Sequence, residues 1–232
     1  MVLTRRRLWL TAVPLALWPI AAPAAGDALL DRAMARAGGA VALSRAKVLR
    51  WTGTAKVFAG ARVIEIGVST TVRPWAGARS DSWLLADGPS KTRTLIIEGA
   101  QGWTERAGVR SPMPPAMLAH ERAQYALYGL MLLTPLRDRG AKLTVEAGRR
   151  EITVSHTDAP TTVLIFDPDG RLAGARNDVP SPYPGGAAVH QDFRFEGEIV
   201  SRGVHWPRRL TIDQDGKPYF DLTLTTFEAG PA

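Results

Sequence analysis

The sequence predicts an α+β domain in which a curved antiparallel β-sheet wraps around helices. Three observations carry this reading. Periodic segments run helix, about four strands, helix, about six strands, without alternation of strand and helix. The strand segments keep a period of two, with apolar residues on one face. The second helix contains YALYGLMLL, residues 125–133, apolar on every face. A bilayer span needs ~20 apolar residues, so this helix must be covered by protein. The concave side of a curved sheet is the economical cover.

Residues 27–46 read as a helix, because Leu29, Leu30, Ala33, Met34 and Ala37 recur at helical spacing. Gly38-Gly39 divides it. In RVIEIGVSTTVRPW, Ile64, Ile66, Val68, Thr70 and Val72 share one face of a strand, and Glu65, Gly67, Ser69 and Thr71 the other. The preceding VLRWTGTAKVFAG places Leu49, Trp51, Ala55 and Val57 together. SDSWLLADG and KTRTLIIEG are further short strands. The second helix is expected from Pro115 to Arg137, opening on a proline suited to a first turn. Strands resume with KLTVEAG, REITVSHT, TTVLIFD, HQDFRFEGEIV, RRLTIDQ and YFDLTLTTF. GVRSPMPPAM at 108–117 and NDVPSPYPGGAA at 177–188 are loops by their proline and glycine content.

Two segments, FDPDGRL at 166–172 and IDQDGKPYF at 212–220, pair carboxylates with glycine. Neither has the ligand spacing of a calcium loop, which needs glycine at position 6 and glutamate at position 12. Both lie between apolar strand runs, so they are hairpin corners.

The first residues place Arg5, Arg6 and Arg7 before an apolar run from Leu8 to Ala22, followed by small residues. That order is a secretory leader, expected to be cleaved after Ala25. Thr4-Arg5-Arg6 with Leu8 also resembles a twin-arginine signal, and the two export routes stay open. Residues 26–232 form the expected single domain, acting in the periplasm. The chain has no cysteine, which excludes thiolate metal sites and thiol chemistry. The net charge of +7 includes the three leader arginines. The remainder is mildly basic, consistent with transient membrane-surface contact, and its scattered basic residues do not form a nucleic-acid patch.

No motif names a reaction. Phosphate-binding loops, the dinucleotide fingerprint and the nucleophile elbow are missing. His120, His156, His190 and His205 have no metal-ligand spacing. No catalytic residue, metal or cofactor is therefore assigned. A site assembled from dispersed residues such as His156, His190, His205 and Asp192 leaves no motif and stays as an alternative. The unusual content is apolar and aromatic: Trp51, Trp83 and Trp103 lie in or beside successive strands, and Met113, Met117 and Met131 flank or enter the apolar helix. Such side chains fill cores or line adaptable apolar pockets.

Three stretches resemble the periplasmic lipoprotein-carrier superfamily, the LolA/LolB-like fold. They are IIEGAQGWTERAG at 96–108, LIFDPDGRLAGAR at 164–176 and FRFEGEIVSRGVHWPRRLTIDQDGKPYFDLTLTTFE at 193–228. The resemblance implies a half-barrel closed by helices, with an apolar cavity for acyl chains. The cysteine that anchors the LolB branch is missing here. The function expected is non-enzymatic binding or carriage of a lipid or acylated ligand. Trp51, Trp83, Trp103, Met113, Met117, Tyr125, Tyr128 and Leu132 are the expected cavity residues, with the loop around Met113 as a lid. A module binding an envelope protein is the other reading.

Overall fold

The computed structural model describes residues 25–138, 140–146 and 148–231. The expected leader lies outside them, except for Ala25. The first helical segment divides at the two glycines, into α1 (Ala25–Arg36) and α2 (Gly39–Arg45). Gly38 turns between them at φ 118°, against the Gly203 carbonyl, where a side chain has no room. Leu29, Leu30, Ala33 and Met34 are buried, as their spacing requires.

A first meander follows: β1 (Val48–Ala59), β2 (Arg62–Arg73), β3 (Gly77–Leu84), β4 (Arg93–Glu98), β5 (Gln101–Arg106) and β6 (Val109–Pro112). Next come α3 (Pro115–Met131) and a 3₁₀ turn at Thr134–Arg137. The second meander is β7 (Ala141–Thr144), β8 (Glu151–His156), β9 (Ala159–Phe166), β10 (Leu172–Val179) and β11 (Val189–Glu196). β12 (Ile199–Ser201) and β13 (Val204–Trp206) make a separate hairpin, before β14 (Arg209–Gln214) and β15 (Lys217–Gly230).

Thirteen of the described strands form one antiparallel sheet, ordered β6-β5-β4-β3-β2-β1-β15-β14-β11-β10-β9-β8-β7. The α+β class and the antiparallel sheet agree with the sequence. β6 and β7 are the two edges, and α3 is the connection between them. The helix packs into the core shared by both halves of the sheet. Leu127, Leu130 and Met131 join one buried cluster with Leu49, Val72, Ile152, Leu164 and Leu210.

Three boundaries differ from the sequence reading. The segment 108–117 contains β6, whose four residues are all exposed and so carry no alternation. Asn177–Val179 belong to β10, so the second loop begins only at Pro180. α3 stops at Met131, because Leu133 turns to φ 61° and Pro135 has no N–H to continue a helix.

Both Asp-Gly segments are turns. Asp167 Oδ1 accepts from the backbone N–H of Asp169 at 3.0 Å and of Arg171 at 2.8 Å. Asp215 and Gly216 take φ 48° and 73°, the pair of left-handed residues that a tight two-residue hairpin requires.

β1 and β15 form the seam between the halves, and their register shifts between Thr52 and Gly53. A side chain on Gly53 would collide with the Thr223 carbonyl of β15. Gly53→Ala is expected to lower the unfolding free energy by about 1–3 kcal/mol in urea denaturation. An unchanged midpoint would show that the seam yields without cost.

Candidate functional site

A cavity of ≈ 180 Å³ lies between α3 and the concave face of the sheet. Period-two alternation turns Ile66, Val68 and Thr70 of β2 into it, with Ser80 and Ser82 of β3 and Arg93 and Leu95 of β4. The other half contributes Phe193, Ile212, Tyr219, Phe220 and Leu222. Trp51 of β1 stands between the two sets. α3 closes the space with Glu121, Gln124, Tyr125 and Tyr128. Their spacing of three, four and seven puts them on one helix face.

An aromatic series runs from the cavity into the core. The Trp51 and Tyr128 ring centroids are 5.0 Å apart, those of Tyr125 and Tyr128 5.9 Å, and those of Tyr128 and Trp206 6.4 Å. Trp206 then stacks on Phe227 at 5.3 Å. Tilted pairs at these distances are the favoured aromatic geometry. The cavity also holds polar groups. Burial pushes the Glu121 carboxyl up to about 7, against the pull of Arg93. Burial raises Tyr125 and Tyr128 as well, with the Glu121 charge adding to it, so both phenols stay protonated.

The expected site residues do not gather in one place. Trp51, Tyr125 and Tyr128 meet at the cavity. Leu132 lies just past α3 in the buried core. Trp83 and Trp103 face away from the cavity, on the outer side of the sheet. Trp83 lies over Gly67, directly across from it in β2. Trp103 carries the Arg110 guanidinium 4.1 Å above its ring. Met113 is buried beneath Gly102, and its N–H donates to the Gly102 carbonyl at 2.8 Å. It is not among the residues that line the cavity. Met117, half-buried on the first turns of α3, is not among the cavity-lining residues.

A wider cleft of ≈ 350 Å³ opens beside α3, lined by Arg73, Trp75, Arg122 and Asp158. Tyr125 lines both spaces. Trp75, at φ 68°, lays its ring on Gly129 and stacks on His156, with centroids 4.6 Å apart. Gly129 is the residue that leaves room for that ring.

The histidines lie apart. His190 contacts Asp178 at 2.8 Å and Asp192 at 3.5 Å, all three well exposed. His205 contacts Glu198 at 3.1 Å beside Arg36. His120 is buried, with Nδ1 2.7 Å from the Pro180 carbonyl. None of the four lines the cavity under α3.

The half-barrel with a helix across its concave face has counterparts among solved structures. The fold is LolA-like. A LolA superfamily protein from Nitrosomonas europaea matches with a TM-score of 0.56 at 11% identity, over 89% of this chain and 94% of that one. An outer membrane lipoprotein-sorting protein domain from Vibrio parahaemolyticus matches at 0.50 and 9% identity, over 86% and 90%. A DUF1329 family protein from Desulfovibrio piger matches at 0.54 and 9%, over 88% and 92%. No protein-family model matches the chain, and no curated protein matches it in sequence. Among the described residues no helix is long and apolar enough to cross a membrane.

Sequence reasoning missed Arg93, Glu121, Gln124, Tyr219 and Phe220. The helical signal for two of them was present, since Glu121 and Gln124 share the face of Tyr125 and Tyr128. The strand residues needed the register.

Glu121 holds its proton more tightly in the folded protein than in an unfolded chain, where the value is 4.5. The stability it contributes is complete below that value and is lost as pH rises through about 7. Glu121→Gln is therefore expected to match the parent near pH 4 and exceed it near pH 8, by up to about 3 kcal/mol. Urea denaturation at the two pH values checks this. Equal stability at both would place the carboxylate in water.

Proposed function

We propose that this protein is an exported, non-enzymatic binder or carrier of a lipid or lipidated molecule, with the ligand's apolar chain between the sheet and α3. The observation that carries the proposal is the cavity itself. It is walled by Trp51, Val68, Tyr128 and Phe220, and it sits where a LolA-like half-barrel is closed by its helix. The likeness to a lipoprotein-sorting domain supports a lipidated ligand. In this reading residues 1–25 are removed on export and residues 26–232 work in the periplasm. Trp51, Tyr125 and Tyr128 contact the chain, and Leu132 supports them from the core.

The driving force is apolar burial, about 25 cal/mol per Å² before ordering costs. The cavity is small, so a longer chain must displace α3 or its tyrosines. Ligand then competes with the protein's own core for the same sheet face. That competition allows release as well as capture, because each bound chain leaves behind a helix ready to return.

The protein purified from a periplasm without detergent is expected to retain a mass that organic extraction identifies as phospholipid or acylated peptide. Native mass spectrometry reads it. Ser82→Phe, which fills the cavity from β3, is expected to weaken uptake of a fluorescent fatty-acyl probe by about tenfold. A bare protein that ignores the probe, or a filled cavity that binds it equally well, would turn the reading toward a protein-binding module.

A further inference from the structure

The inner face of the second half of the sheet is largely apolar, and one polar row crosses it; at its end Thr162 of β9, opposite Asn177, donates its hydroxyl to the Pro160 carbonyl at 2.9 Å. Asn177 of β10, Gln191 of β11 and Gln214 of β14 stand directly opposite one another across neighbouring strands. Gln191 is 0% exposed and Asn177 4%. Among the described residues, neither polar atom of the Asn177 side chain has a hydrogen-bond partner. The same holds for both of Gln191 and for Gln214 Nε2. A fourth carboxamide, Gln124 of α3, also has a buried, unpaired Nε2, and it lines the cavity.

The row lies one layer beyond the cavity lining, which includes Gln124 but none of the three strand amides. Gln191 lies two residues before Phe193 and Gln214 two after Ile212, and both of those apolar residues line the cavity. Alternate strand residues share a face, so the amides form its next layer, roughly 7 Å along the strands. Buried polar groups are nearly always paired, and an unpaired one is destabilising. Three abreast on adjacent strands, with a fourth on the helix, is not a packing solution that apolar residues would leave in place.

The chemistry of the row limits what it can hold. A carboxamide offers one acceptor and two donors and carries no charge. None of these four positions is charged. Such a row matches neutral groups that both accept and donate, not a lone carboxylate or ammonium. We propose that it is the head-group subsite of the cavity. It binds the neutral linkage region of an acylated ligand, an ester or amide carbonyl with an adjacent hydroxyl or N–H. The chain then runs from that point toward Trp51, Tyr128 and Phe220. This inference rests on the carrier reading above and adds to it a fixed orientation for the ligand.

Two probes separate the inference from that reading. Monooleoylglycerol has an ester and hydroxyls, whereas diphenylhexatriene is a hydrocarbon. The full exported protein, stripped of lipid, is expected to bind both. Gln191→Leu removes an amide that has no partner in the free protein, so its melting temperature should hold or rise. It should weaken monooleoylglycerol by about tenfold or more and leave diphenylhexatriene unchanged. Asn177→Leu should do the same, and it decides the matter if the first variant fails to fold. Unchanged monooleoylglycerol binding would overturn the subsite and leave the row to buried water. Equal loss of both probes would overturn it in favour of a structural role. A parent protein that takes up the hydrocarbon but not the monoacylglycerol keeps the carrier reading and sinks the subsite alone. A parent that takes up neither sinks both.

Discussion

The helix α3 has to bridge the two free edges of a thirteen-strand sheet, and this single connection organises the rest of the molecule. A chain leaving β6 at one edge must reach β7 at the other. The route across the concave side is the one that buries it. That route explains why YALYGLMLL is apolar on every face, since sheet walls lie on both flanks of the helix. The α3 residues that face the cavity, Glu121, Gln124, Tyr125 and Tyr128, share one stripe of the helix. Where that stripe passes over β2, β3 and β15, helix and sheet do not fill the space between them.

Two kinds of wall therefore meet under the helix. One is aromatic and aliphatic, gathered around Trp51 and Tyr128. The other is neutral and hydrogen-bonding, formed by Gln124 and the amide row. Glu121 lines the same cavity from α3, its carboxyl pushed up to about 7 by burial. An interior of this composition is amphipathic without being strongly charged.

The fold was legible because its signals are local. Hairpin corners at Asp167 and Asp215, the glycine break at 38–39 and the greasy helix each depend on a few neighbouring residues. Their order excluded a parallel sheet. The site was only partly legible, because facing depends on register, and a shift of one residue turns every side chain over. Trp83 and Trp103 lie in strands, as expected, but cross-strand pairing puts them with Gly67 and Ile96 on the outside. Asn177 was hidden differently. A polar residue before a proline-rich run reads as the start of a loop, and only the partner strand shows it turned into the core.

The seam between β1 and β15 has a consequence for how the protein is made. β15 is the last of the described strands, yet it lies near the middle of the sheet and pairs with the first of them. Residues 48 and 230 are partners across that seam. The long loop between them must close before either half gains the other's support, which makes folding slow by its topology. Until residues 217–230 arrive, two open meanders expose the strand edges that will later join. A nascent chain cannot complete this sheet until β15 has been made. Closure of the half-barrel thus waits on residues 217–230, whatever order the other strands pair in.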